Sequence, residues 1–142
     1  MHDPFDLERF VAAQEEVMEQ VRAELAAGRK QSHWMWFVFP QLGGLGHSAM
    51  ARFYGISGLE EAAAYLRHPV LGPRLRDCVA LVNAVPGQGA EQILGAVDAL
   101  KFRSCLTLFA AADPDAAVFR AALARFFDGA ADARTLALLE SG

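Results

Sequence analysis

Ser32-His33-Trp34-Met35-Trp36-Phe37-Val38-Phe39-Pro40 is the stretch on which the fold class turns. Its aromatics and Val38 favour a strand by propensity. A strand needs a partner, however, and no other segment of the chain shows sustained period-two alternation, so an isolated strand here would not be stable. Ser32 can cap a helix start and Pro40 ends the run, so the segment is expected to be a short buried helix. Gly43, Gly44 and Gly46 follow as a flexible turn.

Outward from this run, helical periodicity dominates. Leu7, Phe10, Val11, Gln14, Val17, Met18, Val21 and Leu25 recur at three and four, which predicts one helix over 6–27 with Glu8, Glu15, Glu16, Glu19 and Glu24 on its wet side. Asp3 or Asp6 can cap its start, and Gly28 stands where a terminating glycine belongs. A short helix over 48–54 is expected next. Ser57-Gly58-Leu59-Glu60 has capping-box spacing before Ala62–Leu66. His68-Pro69 reads as turn structure opening a helix to about Asn83. Ala90–Leu94 forms another short helix. Asp98 is expected to cap a longer one, with Leu100, Cys105, Leu106, Leu108 and Phe109 mostly inside. Asp113-Pro114-Asp115 starts a helix through Phe127, and Asp132 caps the last, Ala133–Leu139, with Glu140 onward frayed. The result is a single all-α domain over 1–142, of about seven or eight helices too unequal in length for a regular four-helix bundle.

Composition narrows the function classes. The 142 residues are 54% hydrophobic and 21% charged, enough for one packed core. No apolar run reaches the roughly 20 residues of a membrane span, and Met1-His2-Asp3-Pro4-Phe5-Asp6 has neither a basic n-region nor an apolar h-region. The cytoplasm is the expected compartment. A net charge of −4 argues against general nucleic-acid binding, which needs a basic surface. Cys78 and Cys105 lie in apolar helical patterns and are expected to be buried thiols. His2, His33, His47 and His68 show no metal-ligand spacing, and no cofactor motif is present.

Two polar clusters remain. Arg29, Lys30, Ser32 and His33 precede the aromatic run, and Gln41, His47, Ser48, Arg52 and Tyr54 follow it. Lys101, Arg103, Ser104 and Thr107 form the second, with Lys101, Ser104 and Thr107 at helical spacing on one face. Lys30 and Lys101 are the only lysines, in a chain with eleven arginines and 27 alanines. Polar groups set among large apolar side chains are either paired internally, for instance with Asp98 or Asp77, or aimed at a ligand. If the clusters meet, their cations and hydroxyls suit a carboxylate or phosphate, and a tryptophan face suits a ring.

The pattern resembles a known family. Asp6-Leu-Glu-Arg-Phe, Gly28-Arg-Lys-x-Ser-His-Trp-Met-Trp-Phe-x-Phe-Pro-Gln-Leu-x-Gly-Leu-Gly, Ser48-x-Met-Ala-Arg-x-Tyr, His68-Pro-Val-Leu-Gly-Pro-Arg-Leu, Asp98-x-Leu-Lys-x-Arg-Ser and Thr107-Leu-Phe look like the bacterial domain-of-unknown-function family numbered 1810. The resemblance implies a single-domain, multihelical all-α protein and no established activity. The calpastatin label some members carry names a long disordered inhibitor, unlike this compact composition. The resemblance marks Lys30, Ser32, His33, Trp34, Trp36, Gln41, Ser48, Arg52, Lys101, Arg103 and Ser104 as candidate ligand-binding positions, and His47 falls outside it.

Three functions are compatible with these residues. The first is a pocket for an anionic metabolite or nucleotide-like ligand, with Lys30, Arg52, Lys101 and Arg103 binding charge. The second is a hydrolase or transferase acting on a glycosidic or phosphoryl bond, with His33 as acid/base. The third is a helical protein-interaction module exposing Phe119, Leu123, Phe126 and Phe127.

Overall fold

The computed structural model describes residues 3–141, so His2 lies outside the described residues. They form ten α-helices and one 3-10 turn: α1 (Glu8–Glu15), α2 (Met18–Ala26), α3 (Met35–Val38), the 3-10 turn Gly43–Leu45, α4 (Ala49–Phe53), α5 (Leu59–Arg67), α6 (Leu71–Asn83), α7 (Ala90–Leu94), α8 (Ala96–Ala112), α9 (Ala117–Phe127) and α10 (Ala133–Ser141). Among the described residues the β-type pairing is one isolated parallel bridge, Leu42 to Ile56. The all-α expectation holds, while the helix count exceeds the seven or eight expected.

The excess has local causes. The helix expected over 6–27 is two helices, broken where Val17 N–H donates to Gln14 O, three residues back, at 3.1 Å. The buried stripe of Leu7, Phe10, Gln14, Met18, Val21 and Leu25 runs straight through the break. Periodicity reports which face is buried and is blind to one interrupted hydrogen bond, so it could not see two helices. Asp3, not Asp6, caps the first: its carboxylate accepts from Leu7 N at 2.8 Å and Glu8 N at 3.1 Å. These bonds hold the Asp3 carboxyl below its usual range.

The aromatic run is helical for a single turn. Phe39, restricted by Pro40, leaves the helical region at φ −122°, ψ 70°. The Phe37 carbonyl, left over by so short a helix, accepts instead from the buried Gln14 side chain at 2.7 Å. Gln14 also donates to the buried Tyr65 hydroxyl at 3.2 Å. Ser32 does not cap α3; its hydroxyl turns to Glu24, as described below.

Helix α8 is the central element, packed by α5, α7, α9 and α10. Its inner residues Phe102, Cys105, Leu106, Leu108 and Phe109 are all fully buried. Leu100, expected inside, is exposed on the other face. Cys78 and Cys105 are buried thiols as expected; burial pushes Cys78 up to about 11 and Cys105 well up too, so neither is a ready thiolate. Phe119 and Leu123 are core, and Phe126 and Phe127 are half-buried against it, so the apolar face of α9 packs largely inward.

Capping follows the sequence with shifts of one residue. Glu61, not Glu60, accepts from Ser57 N at 2.9 Å and Ser57 Oγ at 2.8 Å. Glu61 is drawn inward by Arg9, whose guanidinium sits 3.0 Å from it and also donates to the carbonyls of Phe53 and Gly55. His68 Nδ1 accepts from Val70 N and Leu71 N, which is the turn role expected of it. Asp132 caps α10 through Thr135 N at 2.9 Å, and that helix runs on to Ser141 without fraying at Glu140.

Helices α5 and α6 meet at Gly72, where a Cβ would lie 2.2 Å from the Leu66 carbonyl oxygen. Backbone cannot swing aside like a side chain, so Gly72→Ala is expected to destabilise the fold by about 1–3 kcal/mol. Urea unfolding checks this; a midpoint equal to wild type would show that α6 slides freely.

Candidate functional site

The two polar clusters converge. Lys30 Nζ lies 2.9 Å from Asp98 Oδ2, and Lys101 Nζ lies 3.7 Å from Asp98 Oδ1. One carboxylate thus serves both lysines. Asp98 was expected to cap α8, but α8 begins at Ala96, after Gly95 at φ +92°, a backbone angle suited to glycine. Asp98 therefore sits inside the first turn and is free to face the lysines.

The two lysines differ in how tightly they are held. The Lys30 side chain is 9% exposed, donates to Ser32 O at 2.6 Å and lies 5.0 Å from the Trp34 ring centroid. Lys101 is 26% exposed and lies 5.1 Å from the Trp36 ring centroid. Lys30 is an internal ion-pair partner, while Lys101 reaches the surface.

Beneath Lys30 is a feature the sequence reading placed wrongly. Glu24, expected on the wet face, is 7% exposed. Its carboxylate accepts from Gln31 N (2.7 Å), Ser32 N (3.0 Å), Ser32 Oγ (2.6 Å), Trp34 Nε1 (3.0 Å) and Gln20 Nε2 (3.0 Å). Burial alone would push this carboxyl up; the hydrogen bonds from Ser32, Gln31 and Trp34 outweigh it and bring it to about 2. Glu24 thereby fixes the 31–34 loop, Trp34 and, through them, the seat of Lys30.

Lys101 opens onto a cleft of about 430 Å³. Trp36 and Gln41 stand beside it. The 45–48 segment contributes His47 and Ser48, α8 contributes Val97, Leu100, Lys101 and Ser104, and the start of α10 contributes Asp132 and Arg134. Such a volume is within the usual range for small-molecule sites. A larger concavity of about 570 Å³, bounded by Leu42, Ile56, Leu59 and Leu138, has Glu60 as its one ionisable lining residue. The convergent polar chemistry is in the smaller cleft.

Of the candidate positions, Trp36, Gln41, Ser48, Lys101 and Ser104 line this cleft. Lys30, Ser32 and Trp34 stand behind it as support. Arg103, expected to bind charge, is engaged elsewhere: its guanidinium donates to Ala130 O at 2.8 Å and Ala131 O at 3.3 Å and lies over Phe127, securing the turn before α10. Arg52 is exposed on α4 and does not line the cleft. His33 is exposed and outside the cleft as well, so the acid/base role considered for it lacks the required placement. Ser48 Oγ caps α4, accepting from Ala51 N at 3.1 Å. Ser104 Oγ bonds back to Leu100 O at 3.2 Å.

The sequence reading missed Arg134 and passed over His47. Nothing local marks Arg134, an exposed arginine on an ordinary helix; only the packing of α10 on α8 brings it to Lys101's cleft. No group of three His, Cys, Asp or Glu side chains among the described residues is arranged to hold a metal ion.

The fold and site define a compact all-helical protein with a cation-bearing cleft between its central helix and a glycine-rich loop. The chain belongs to the family described as protein of unknown function (DUF1810), which it matches over residues 4–139. It is similar to the conserved hypothetical protein Rv1873 from Mycobacterium tuberculosis, at 57% sequence identity, with a TM-score of 0.96 over 97% of this chain and 99% of that one. No curated protein matches the chain. Among the described residues, no helix is long and apolar enough to cross a membrane.

Proposed function

We propose that the Trp36–Lys101 cleft binds a small anionic metabolite, such as a nucleotide-like compound. The observation that carries this reading is the sharing of Asp98. Its carboxylate is held at 2.9 Å by the buried Lys30 and only at 3.7 Å by Lys101, so two ammonium groups face one counter-charge. The surplus positive charge falls on the lysine that opens to the cleft. Trp36 supports its ammonium from one side, and Gln41, Ser48 and Ser104 supply hydrogen-bonding groups nearby.

A thermal-shift screen against nucleotides, sugar phosphates and carboxylates tests the reading. A ligand at a hundred times its dissociation constant is expected to stabilise the native state by about 2.7 kcal/mol. Lys101→Ala should abolish the shift while leaving the unliganded protein folded, because Asp98 keeps Lys30. A panel without a single Lys101-dependent hit would defeat the proposal.

A further inference from the structure

Resting on that reading, the geometry points to a narrower ligand class: we infer that the cleft takes one anionic head, a phosphate monoester or carboxylate, attached to an apolar or aromatic body. The head would bridge Lys101 and Arg134, and the body would lie on Val97 and Leu100.

Lys30 is committed to Asp98 and to Ser32 O, and Arg103 to the carbonyls of Ala130 and Ala131. Arg52 lies outside the cleft. Two cations remain on its lining, Lys101 from α8 and Arg134 from α10. Arg134 is exposed and makes no ion pair among the described residues. Lys101 is half-neutralised by Asp98, and the lining also includes the Asp132 carboxylate, one of whose oxygens is held by Thr135. Two cations tempered by two carboxylates suit a single anionic head. A di- or triphosphate would bring more charge than this lining offsets, against the repulsion of Asp98 and Asp132.

The body follows from an independent observation. Val97 and Leu100 are 68% and 64% exposed, the largest values among the exposed large apolar side chains described. They stand three apart on α8, and each lies four residues before a polar lining group, Lys101 and Ser104 respectively. The same helix face thus offers an apolar shelf beside an ammonium. Single exposed apolar residues are ordinary; a pair lining a cation-bearing cleft has a use when a ligand body covers it.

Titration calorimetry of the intact chain with phenyl phosphate, benzoate, inorganic phosphate and inorganic pyrophosphate tests this. Phenyl phosphate or benzoate is expected to bind at least tenfold tighter than pyrophosphate. Lys101→Ala and Arg134→Ala should each weaken it about tenfold or more. Leu100→Ser should weaken the aromatic probe several-fold and leave inorganic phosphate unaffected. Arg134 and Leu100 are surface residues, so those two variants keep the test open should Lys101→Ala fold poorly. Tighter binding of pyrophosphate would overturn the single-head inference and leave the anion cleft standing. Binding of the aromatic probe that ignores all three substitutions would place it elsewhere and overturn both, as would no binding by any of the probes.

Discussion

Glu24→Ala is expected to cost the fold about 3–5 kcal/mol, the largest effect of any single side chain near the site, because it strands the buried Trp34 indole and several part-buried donors at about 1–3 kcal/mol each. The donors are the Gln31 and Ser32 amides, the Ser32 hydroxyl and the Trp34 indole, with the Gln20 amide at the edge. Water replaces Glu24 poorly at the indole, since Trp34 is 1% exposed. Glu24→Gln preserves shape but offers one acceptor oxygen instead of two and turns an NH₂ group toward other donors, so an intermediate loss is expected.

The same carboxylate sets a pH dependence. A carboxyl of ordinary value 4.5 lowered to about 2 stabilises the folded state by about 3 kcal/mol when ionised, at roughly 1.4 kcal/mol per pH unit. The folded state binds its proton less readily than the unfolded chain does. The contribution is therefore complete above about pH 4.5 and disappears as the pH falls through about 2. Acid unfolding followed by tryptophan fluorescence should show wild type losing this increment across that window, and Glu24→Gln lacking it. Parallel acid-unfolding curves for the two proteins would mean Glu24 does not carry the effect.

Asp98→Asn is expected to move two observables in opposite directions. It removes the counter-charge of the nearly buried Lys30, which retains only the Ser32 carbonyl, so stability should fall by about 2–3 kcal/mol. It also releases Lys101 from its weak 3.7 Å pairing and removes a negative charge from beside the cleft. At roughly 6 Å and a surface-like dielectric of about 40–80, that charge is worth about 1 kcal/mol, so phenyl phosphate should bind roughly fivefold tighter at low salt. A variant that is less stable and also binds less tightly would show that Asp98 holds Lys101 in its working position instead of competing for it. In that case the Lys30–Asp98–Lys101 arrangement is a positioning device.

Much of the fold was legible because helix faces and stops are local properties. The stripe from Leu7 to Leu25, the His68 turn and the Asp132 cap lie where residue spacing places them. The aromatic run was resolved by elimination: with no pairing partner, even β-prone residues take a helical turn. Boundaries were less legible. Whether Glu60 or Glu61 turns inward depends on Arg9, 52 residues away, and Asp98 loses its expected capping role because Gly95 already ends the preceding helix.

The site divides in the same way. Residue types and their spacing were enough to assign an all-α chain of this family and to single out Lys101 and Ser104 as sharing one helix face, with Trp36 and Gln41 in a separate cluster whose meeting with that face the sequence left open. Tertiary packing alone decided which charges are consumed and which are offered. A charge's role depends on what lies within about 4 Å of it, and those neighbours come from distant segments. Glu24 is interior because the 31–34 loop folds back over α2, Lys30 is spent because α8 brings Asp98 to it, and Arg134 faces the cleft because α10 returns to pack on α8.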